Sequence, residues 1–250
     1  MNEHPIHRIL FLDIETVCGE KDFSKLKPEL ASVWKIKASQ LLKKPAEEIE
    51  AEELDNYYQD RAAIYAEFGK IICISVGFIN VLPKNNSVVK VKSYYGDDEK
   101  ELLEAFSTLL NNHYSDSKNS YICGHNIIEF DIPYICRRLL INGQKLPNIL
   151  RIQGKKPWEL SFMLDTMQLW KFGDYKAYSS LKLLTAVFDI PTPKDDIDGS
   201  EVGKVYWKDE DLKRIVVYCE KDVVAVIQLM MKFKGLPLFE EKQIESVTKL

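Results

Sequence analysis

The apolar positions of the chain switch repeatedly between a strand-like and a helix-like period. Arg8 to Leu12 (RILFL) is a short apolar run ending at Asp13, the pattern of a buried strand in an α/β sheet that delivers a carboxylate at its end. Lys70 to Asn80 and Val88 to Tyr95 are β-branched runs separated by the turn-like Pro83 to Ser87, so they are predicted as antiparallel neighbours. Asp97 or Asp98 can cap a helix carrying Leu102, Leu103, Phe106, Leu109 and Leu110, and Tyr121 to Cys123 returns as a strand. Ile132, Ile135, Leu139 and Leu140 give a second helix over 131–140, with Gly143 just past its end. Phe162 to Leu164 is a last short strand. Ser179 or Ser180 caps a helix through Phe188, and Asp209 opens a long one with Leu212, Ile215, Val216, Val223, Ile227 and Met230 on its core face. Three antiparallel strands followed by alternating helices and strands predict a mixed α/β sheet flanked by helices.

Lys21 to Phe68 interrupts this pattern between the first two strands. It is too long for a hairpin and has helical periodicity of its own, so it is expected to be a helical insertion within a single domain spanning 1–250. Pro45 starts a helix there, with Glu47, Glu48, Glu50, Glu52, Glu53 and Asp55 on its solvated side. A hydrophobic share of 46% against 29% charged residues excludes disorder, and a net charge of -4 excludes a chain-wide basic field. Any nucleic-acid site must therefore be local. The apolar runs are too short to span a membrane, Met1 to His7 has no signal-peptide stretch, and a cytoplasmic location is expected. Five single cysteines, Cys18, Cys73, Cys123, Cys136 and Cys219, lack C-x-x-C spacing and read as small hydrophobes.

Three segments carry candidate chemistry. In Asp13-Ile14-Glu15 the period of two puts both carboxylates on one side of a strand, a geometry suited to metal binding. The spacing alone decides nothing, because Asp97-Asp98-Glu99 repeats it where a helix cap belongs. Gly124-His125-Asn126 leaves a strand, and Phe130-Asp131-Ile132-Pro133 opens the next helix, where Asp131 can equally be an ordinary N-cap and Phe130 a core residue. Tyr218 and Asp222 are four apart, on one helix face, and Asp222 is flanked by Val223 and Val224, an unlikely place for an unpaired charge. Asp13, Glu15, Asp131 and Asp222 form a hard oxygen donor set with no matching Cys or His cluster, which implies Mg²⁺ or Mn²⁺ rather than zinc.

The order LDIET, GHNIIEFDIP, YCEKDV resembles the three exonuclease motifs of the DEDD, or DnaQ-like, 3′-to-5′ exonucleases on a ribonuclease H-like fold. DIDGSEV at Asp196 to Val202, followed by YCEKDV, looks like the stand-alone bacterial exonucleases related to the proofreading domain of family B DNA polymerases. The resemblance implies two ions, with Asp13 bridging them, Glu15 and Asp222 completing the nucleophile-side site, and Asp131 supporting the second through water. It further implies that Tyr218 orients the attacking water, which places the chain in the tyrosine subgroup because Val217 stands where the other subgroup has histidine. Thr16, Asn126 and Phe130 would lie beside the terminal nucleotide. His125 departs from the tyrosine often found there, and Asp165 is read as structural.

The expected activity is metal-dependent 3′-to-5′ hydrolysis of single-stranded DNA, with an exoribonuclease or a catalytically silent nucleic-acid-binding accessory module as alternatives. Trp34 to Lys37 and Lys155 to Trp158 are candidate single-strand contacts, and the loop from Lys194 to Lys208 is a candidate cover for the site. The chain is too short to add a polymerase domain, so repair, turnover or recruitment by a separate replication or repair partner is expected.

Overall fold

A computed structural model describes residues 4–81, 87–174, 178–191 and 197–250. In chain order the elements are β1 (Ile9–Cys18), α1 (Pro28–Leu42), α2 (Ala51–Arg61), β2 (Gly69–Asn80), β3 (Val88–Tyr95), α3 (Glu99–His113), β4 (Tyr121–Gly124) and α4 (Asp131–Ile141). Then come β5 (Met163–Asp165), α5 (Thr166–Lys171), α6 (Leu181–Val187), α7 (Val202–Trp207), α8 (Leu212–Phe233) and β6 (Ile244–Ser246). Six strands form one mixed sheet in the order β5-β4-β1-β2-β3-β6. β1, β2 and β3 are antiparallel neighbours, while β4, β5 and β6 join in parallel. The predicted mixed α/β sheet with helices inserted between its first two strands is what forms.

The alternation along β1 sorts the core into two layers. Leu10, Leu12 and Ile14 pack with Leu102, Leu103 and Phe106 of α3 and Ile135 and Leu139 of α4. Ile9 and Phe11 point the other way, onto Val223, Val226, Ile227 and Met230 of α8. Asp13 and Glu15 continue the Ile9–Phe11 side, so the register that buries the apolar half of β1 also aims two carboxylates at α8.

Several boundaries differ from the sequence expectation. β1 does not end at Asp13: it continues to Cys18, paired with β2 down to Cys18 opposite Gly69, with a bulge between Glu15 and Thr16. The carboxylates therefore lie inside the strand. Asp131 is not an N-cap; it is the first residue of α4, whose N-cap is Phe130 with no side-chain cap. α8 is capped by Asp211, which accepts from the Arg214 N–H, rather than opened by Asp209. Pro45 begins only a 3-10 turn, Ala46–Glu48, and the helix proper starts at Ala51. β6 was not expected: its three residues are too few for a periodic signal. Asp98 and Ser180 do cap α3 and α6. Of the turn at Pro83 to Ser87, only Ser87 lies among the described residues, and Asp196 and Lys194 to Asp196 of the other motifs lie outside them.

The insertion has a small core of its own. Trp34 is fully buried among Ala38, Leu54, Tyr58, Ala62 and Phe68, so it packs rather than meeting a strand of nucleic acid as the sequence suggested. Trp158 is 71% exposed, with the Lys156 ammonium 5.0 Å from its ring. The joint between insertion and sheet is tight: a Cβ on Gly69 would stand 2.2 Å from the Tyr134 hydroxyl and 2.8 Å from the Val17 carbonyl oxygen. Gly69→Ala is expected to destabilise the fold by about 1–3 kcal/mol, read as a lower urea midpoint with an unchanged m-value. An unchanged midpoint would show that the joint yields freely.

Arg138 of α4 and Glu99 of α3 form a buried pair next to this joint. Arg138 donates from Nε to Glu99 at 2.8 and 3.1 Å and from Nη1 to the Ala66 carbonyl at 2.8 Å. Glu99 also accepts from the Ile71 N–H at 2.7 Å and from Asn142. The carboxylate assigned by sequence to a cap region thus ties two helices to β2, with every partner supplied by the protein.

Candidate active site

Asp13, Glu15, Asp131 and Asp222 converge where β1, the start of α4 and the middle of α8 meet. The Asp131 carboxylate accepts the backbone N–H of Ile14 at 3.2 Å, which pins α4 to the residue between Asp13 and Glu15. On α8, Tyr218, Cys219 and Asp222 share one face by i, i+3 and i+4 spacing, and the Tyr218 hydroxyl is hydrogen-bonded to Asp222. Glu15 and Asp131 are buried, and Asp13 and Asp222 are partly exposed.

The electrostatics of this cluster are those of acids held close to one another. Burial pushes Asp13 and Glu15 well above the usual carboxylate range, and the neighbouring acids push them further: Asp131, Asp222 and Glu15 act on Asp13, and Asp222 and Asp131 act on Glu15. Burial also raises Asp131 to about 7, against the opposing backbone N–H groups of Asp131 and Ile14. Among the described residues no lysine or arginine appears among the charges acting on Asp13 or Glu15. Burial first, and then Asp222, Glu15 and Asp13, raise the Tyr218 phenol far above its ordinary value, so it stays protonated.

Sequence reasoning missed Cys219 as a member of this site. Its Sγ lies 3.5 Å from both the carbonyl oxygen and Oδ2 of Asp13, and its ligand atom with those of Asp13 and Glu15 falls within a 4.8 Å group. Burial keeps the thiol protonated, so it donates to Asp13. Its position three residues before Asp222 was the available signal.

The loop after β4 is fastened from behind. Asp165 accepts from the N–H groups of Asn126 at 3.0 Å, Ile128 at 3.1 Å and Met167 at 2.9 Å, which gives it the structural role expected. His125 Nε2 donates to the Ser179 carbonyl at 2.8 Å, its Nδ1 lies 2.9 Å from the Thr166 hydroxyl, which itself donates to the Gly124 carbonyl at 3.1 Å, and burial lowers the ring's pKa. His125 therefore locks loops and stands outside the acid cluster. Gly124 is required here by close approach, since a Cβ would meet the Leu12 carbonyl oxygen at 2.7 Å. Asn126 adopts φ 65°, and its Oδ1 is buried without a hydrogen-bond partner among the described residues.

A cleft of about 660 Å³ opens beside the cluster, lined by Glu15, Thr16 and Phe130 among others. The Thr16 hydroxyl donates to the Ala63 carbonyl at 2.9 Å, leaving only its acceptor capacity for a ligand. Phe130 serves both sides, lining the cleft while its ring packs 5.4 Å from that of Tyr134.

The sequence model of a family described as a predicted 3′-5′ exonuclease related to the exonuclease domain of PolB matches residues 64–245, well over half the chain. The chain belongs to that family. The match takes in the motifs of Asp131 and Asp222 and leaves out β1 and most of the insertion. Among solved structures, this exonuclease-family chain is similar to the family B DNA polymerase from the hyperthermophilic archaeon Pyrobaculum calidifontis, with a TM-score of 0.55 and 15% identity. The likeness covers 92% of this chain and 24% of the polymerase, so the chain spans about a quarter of that protein's length; it establishes the shared ribonuclease H-like fold. A search of curated proteins found no match. No helix among the described residues of this family member is long and apolar enough to cross a membrane.

Proposed function

We propose that the chain is a metal-dependent exonuclease that removes nucleotides from the 3′ end of single-stranded DNA, and that its residues 1–250 act as one catalytic domain. The observation carrying this reading is the convergence of four carboxylates from β1, α4 and α8, with no lysine or arginine of the described residues among the charges acting on Asp13 and Glu15. Like-charged acids crowded together under burial are costly, and hard oxygen donors select Mg²⁺ or Mn²⁺. With one protonated thiol and no histidine in the set, zinc suits it poorly. Asp13, Glu15, Asp131 and Asp222 would hold two such ions, which, when bound, generate a nucleophile from water at neutral pH and stabilise the leaving oxygen.

The chain's own groups do the rest. Tyr218, kept protonated and hydrogen-bonded to Asp222, orients the attacking water rather than deprotonating it. This role of Tyr218 supports a place in the tyrosine subgroup. The orphaned Oδ1 of Asn126 is free to accept from the terminal nucleotide, and Phe130 offers a ring edge to its base. As water adds to the terminal phosphorus, the bond to the 3′ oxygen of the preceding nucleotide breaks. The products are a nucleoside 5′-monophosphate and a strand one residue shorter with a 3′ hydroxyl.

The relation of the family to the exonuclease domain of PolB supports DNA over RNA as substrate. Chromatography of products from dT10 and rU10, incubated in parallel with Mg²⁺ or Mn²⁺, tests this. We expect nucleoside 5′-monophosphates throughout, released faster from dT10. Faster release from rU10 would make the protein an exoribonuclease. Internal fragments would remove the exonuclease reading, and binding without products would favour the silent module.

A further inference from the structure

The cleft beside the acid cluster has two walls, and one of them is the helical insertion. Its floor is the stretch of β1 from Ile14 to Cys18. One wall is the end of α2 with Asn56, Gln59 and Arg61; the other is α7 and the turns around it, with Gly203, Lys204 and Lys208. Both are fixed to the floor. Thr16 and Tyr134 hydroxyls both donate to Ala63 at 2.9 Å, and the Trp207 indole N–H donates to the Cys18 carbonyl at 3.3 Å.

The cleft's charge departs from that of the chain. Four cations line it, Lys21, Arg61, Lys204 and Lys208, against three acids, Glu15, Asp22 and Asp60, a local balance of +1 in a protein of net charge -4. All four cations are exposed, and none is engaged by an ion pair or side-chain hydrogen bond among the described residues. Two come from the insertion side and two from α7 and its end. Glu15 to Cys18 covers about 10 Å of floor at ~3.3 Å per residue, longer than one stacked nucleotide step of about 3.4 Å.

Resting on the exonuclease reading above, we propose that the insertion is a substrate-gripping wall: Arg61 and Lys21 on one side and Lys204 and Lys208 on the other clamp the phosphates upstream of the 3′-terminal nucleotide. The terminal nucleotide sits at Glu15, and the strand leaves along β1 between α2 and α7. Gly203 has open space where a side chain would project, which leaves the α7 wall clear for the strand. Asp22 and Asp60, on the insertion side, oppose the clamp and lower its affinity.

The test is fluorescence anisotropy of 5′-fluorescein-dT8, with Ca²⁺ in place of Mg²⁺, titrated with wild type and single variants between about 50 and 200 mM salt. Arg61→Glu and Lys204→Glu are each expected to weaken binding at least about tenfold and to reduce the salt slope by about 0.7 per lost contact. Asp60→Asn is expected to tighten binding, and Lys145→Glu, an exposed cation outside the cleft, to leave it unchanged. Thermal midpoints equal to wild type confirm that the variants fold. Wild-type affinity in both charge-reversal variants, equal weakening by Lys145→Glu, or a wild type that does not bind dT8, overturns the proposal. Binding that follows this pattern in a protein that releases no nucleotides would retain the clamp and remove the nuclease reading. Normal nucleotide release with unaltered binding in the variants would do the reverse.

Discussion

Asp13→Asn is expected to lower kcat/KM on single-stranded DNA by at least about 10³-fold, the equivalent of ~4 kcal/mol of transition-state stabilisation, while raising the stability of the metal-free protein at pH 8. The two effects have one cause. Asp13 stands among Asp131, Asp222 and Glu15, and every one of those charges opposes its ionisation. The amide keeps the size and a hydrogen-bond acceptor for the Cys219 thiol, but removes one negative charge from the crowd. It also removes an oxygen donor on which a divalent ion depends. Stability given up for function predicts this opposite movement. A variant that lost both activity and stability would indicate a packing role for Asp13, and one that kept activity would remove it from the site.

The same crowding predicts an inverted pH dependence. Asp131 titrates at about 7 in the folded chain against an ordinary 3.8, with Asp13 and Glu15 also raised. Between those limits the folded state binds more protons than the unfolded one, so stability falls as pH rises from about 4 to 7. At about 1.4 kcal/mol per unit, Asp131 alone contributes on the order of 4 kcal/mol to that fall. In EDTA, the urea midpoint is expected to drop across this window, and Asp131→Asn to flatten the drop. Divalent ions bind the ionised cluster, so they restore stability at pH 8 and do little at pH 5. An ion at a hundred times its Kd adds about 2.7 kcal/mol, or roughly 5–10 °C for a chain of this size. Stability that rises with pH in EDTA, or a metal effect independent of pH, would mean that the carboxylates are not held together as described.

Local patterns made much of this legible. The period of two placed Asp13 and Glu15 on one side of β1, and helical spacing placed Tyr218 beside Asp222. What lay beyond the sequence was set by contacts between distant segments. β1 runs past its carboxylates because β2 pairs with it as far as Gly69, and nothing within Arg8 to Leu12 signals that partner. β6 is held by parallel pairing to β3 and by Glu220, which accepts from Ser93 at 2.9 Å and from Ser246 and Thr248. A three-residue strand that depends on a glutamate in another element has no pattern of its own. Glu99 looked like a cap because its buried partner, Arg138, is 39 residues away. Cys219 looked like a hydrophobe because its burial is real and only its neighbours reveal the acid site.

The most direct test is a 5′-labelled single-stranded DNA oligonucleotide incubated with wild type and Asp13→Asn in Mg²⁺, Mn²⁺ or EDTA, its products resolved at single-nucleotide spacing. The site described here predicts a ladder that shortens from the 3′ end with either ion, that is absent in EDTA and that is lost in the variant. A ladder that persists in EDTA, or that Asp13→Asn leaves intact, would contradict it.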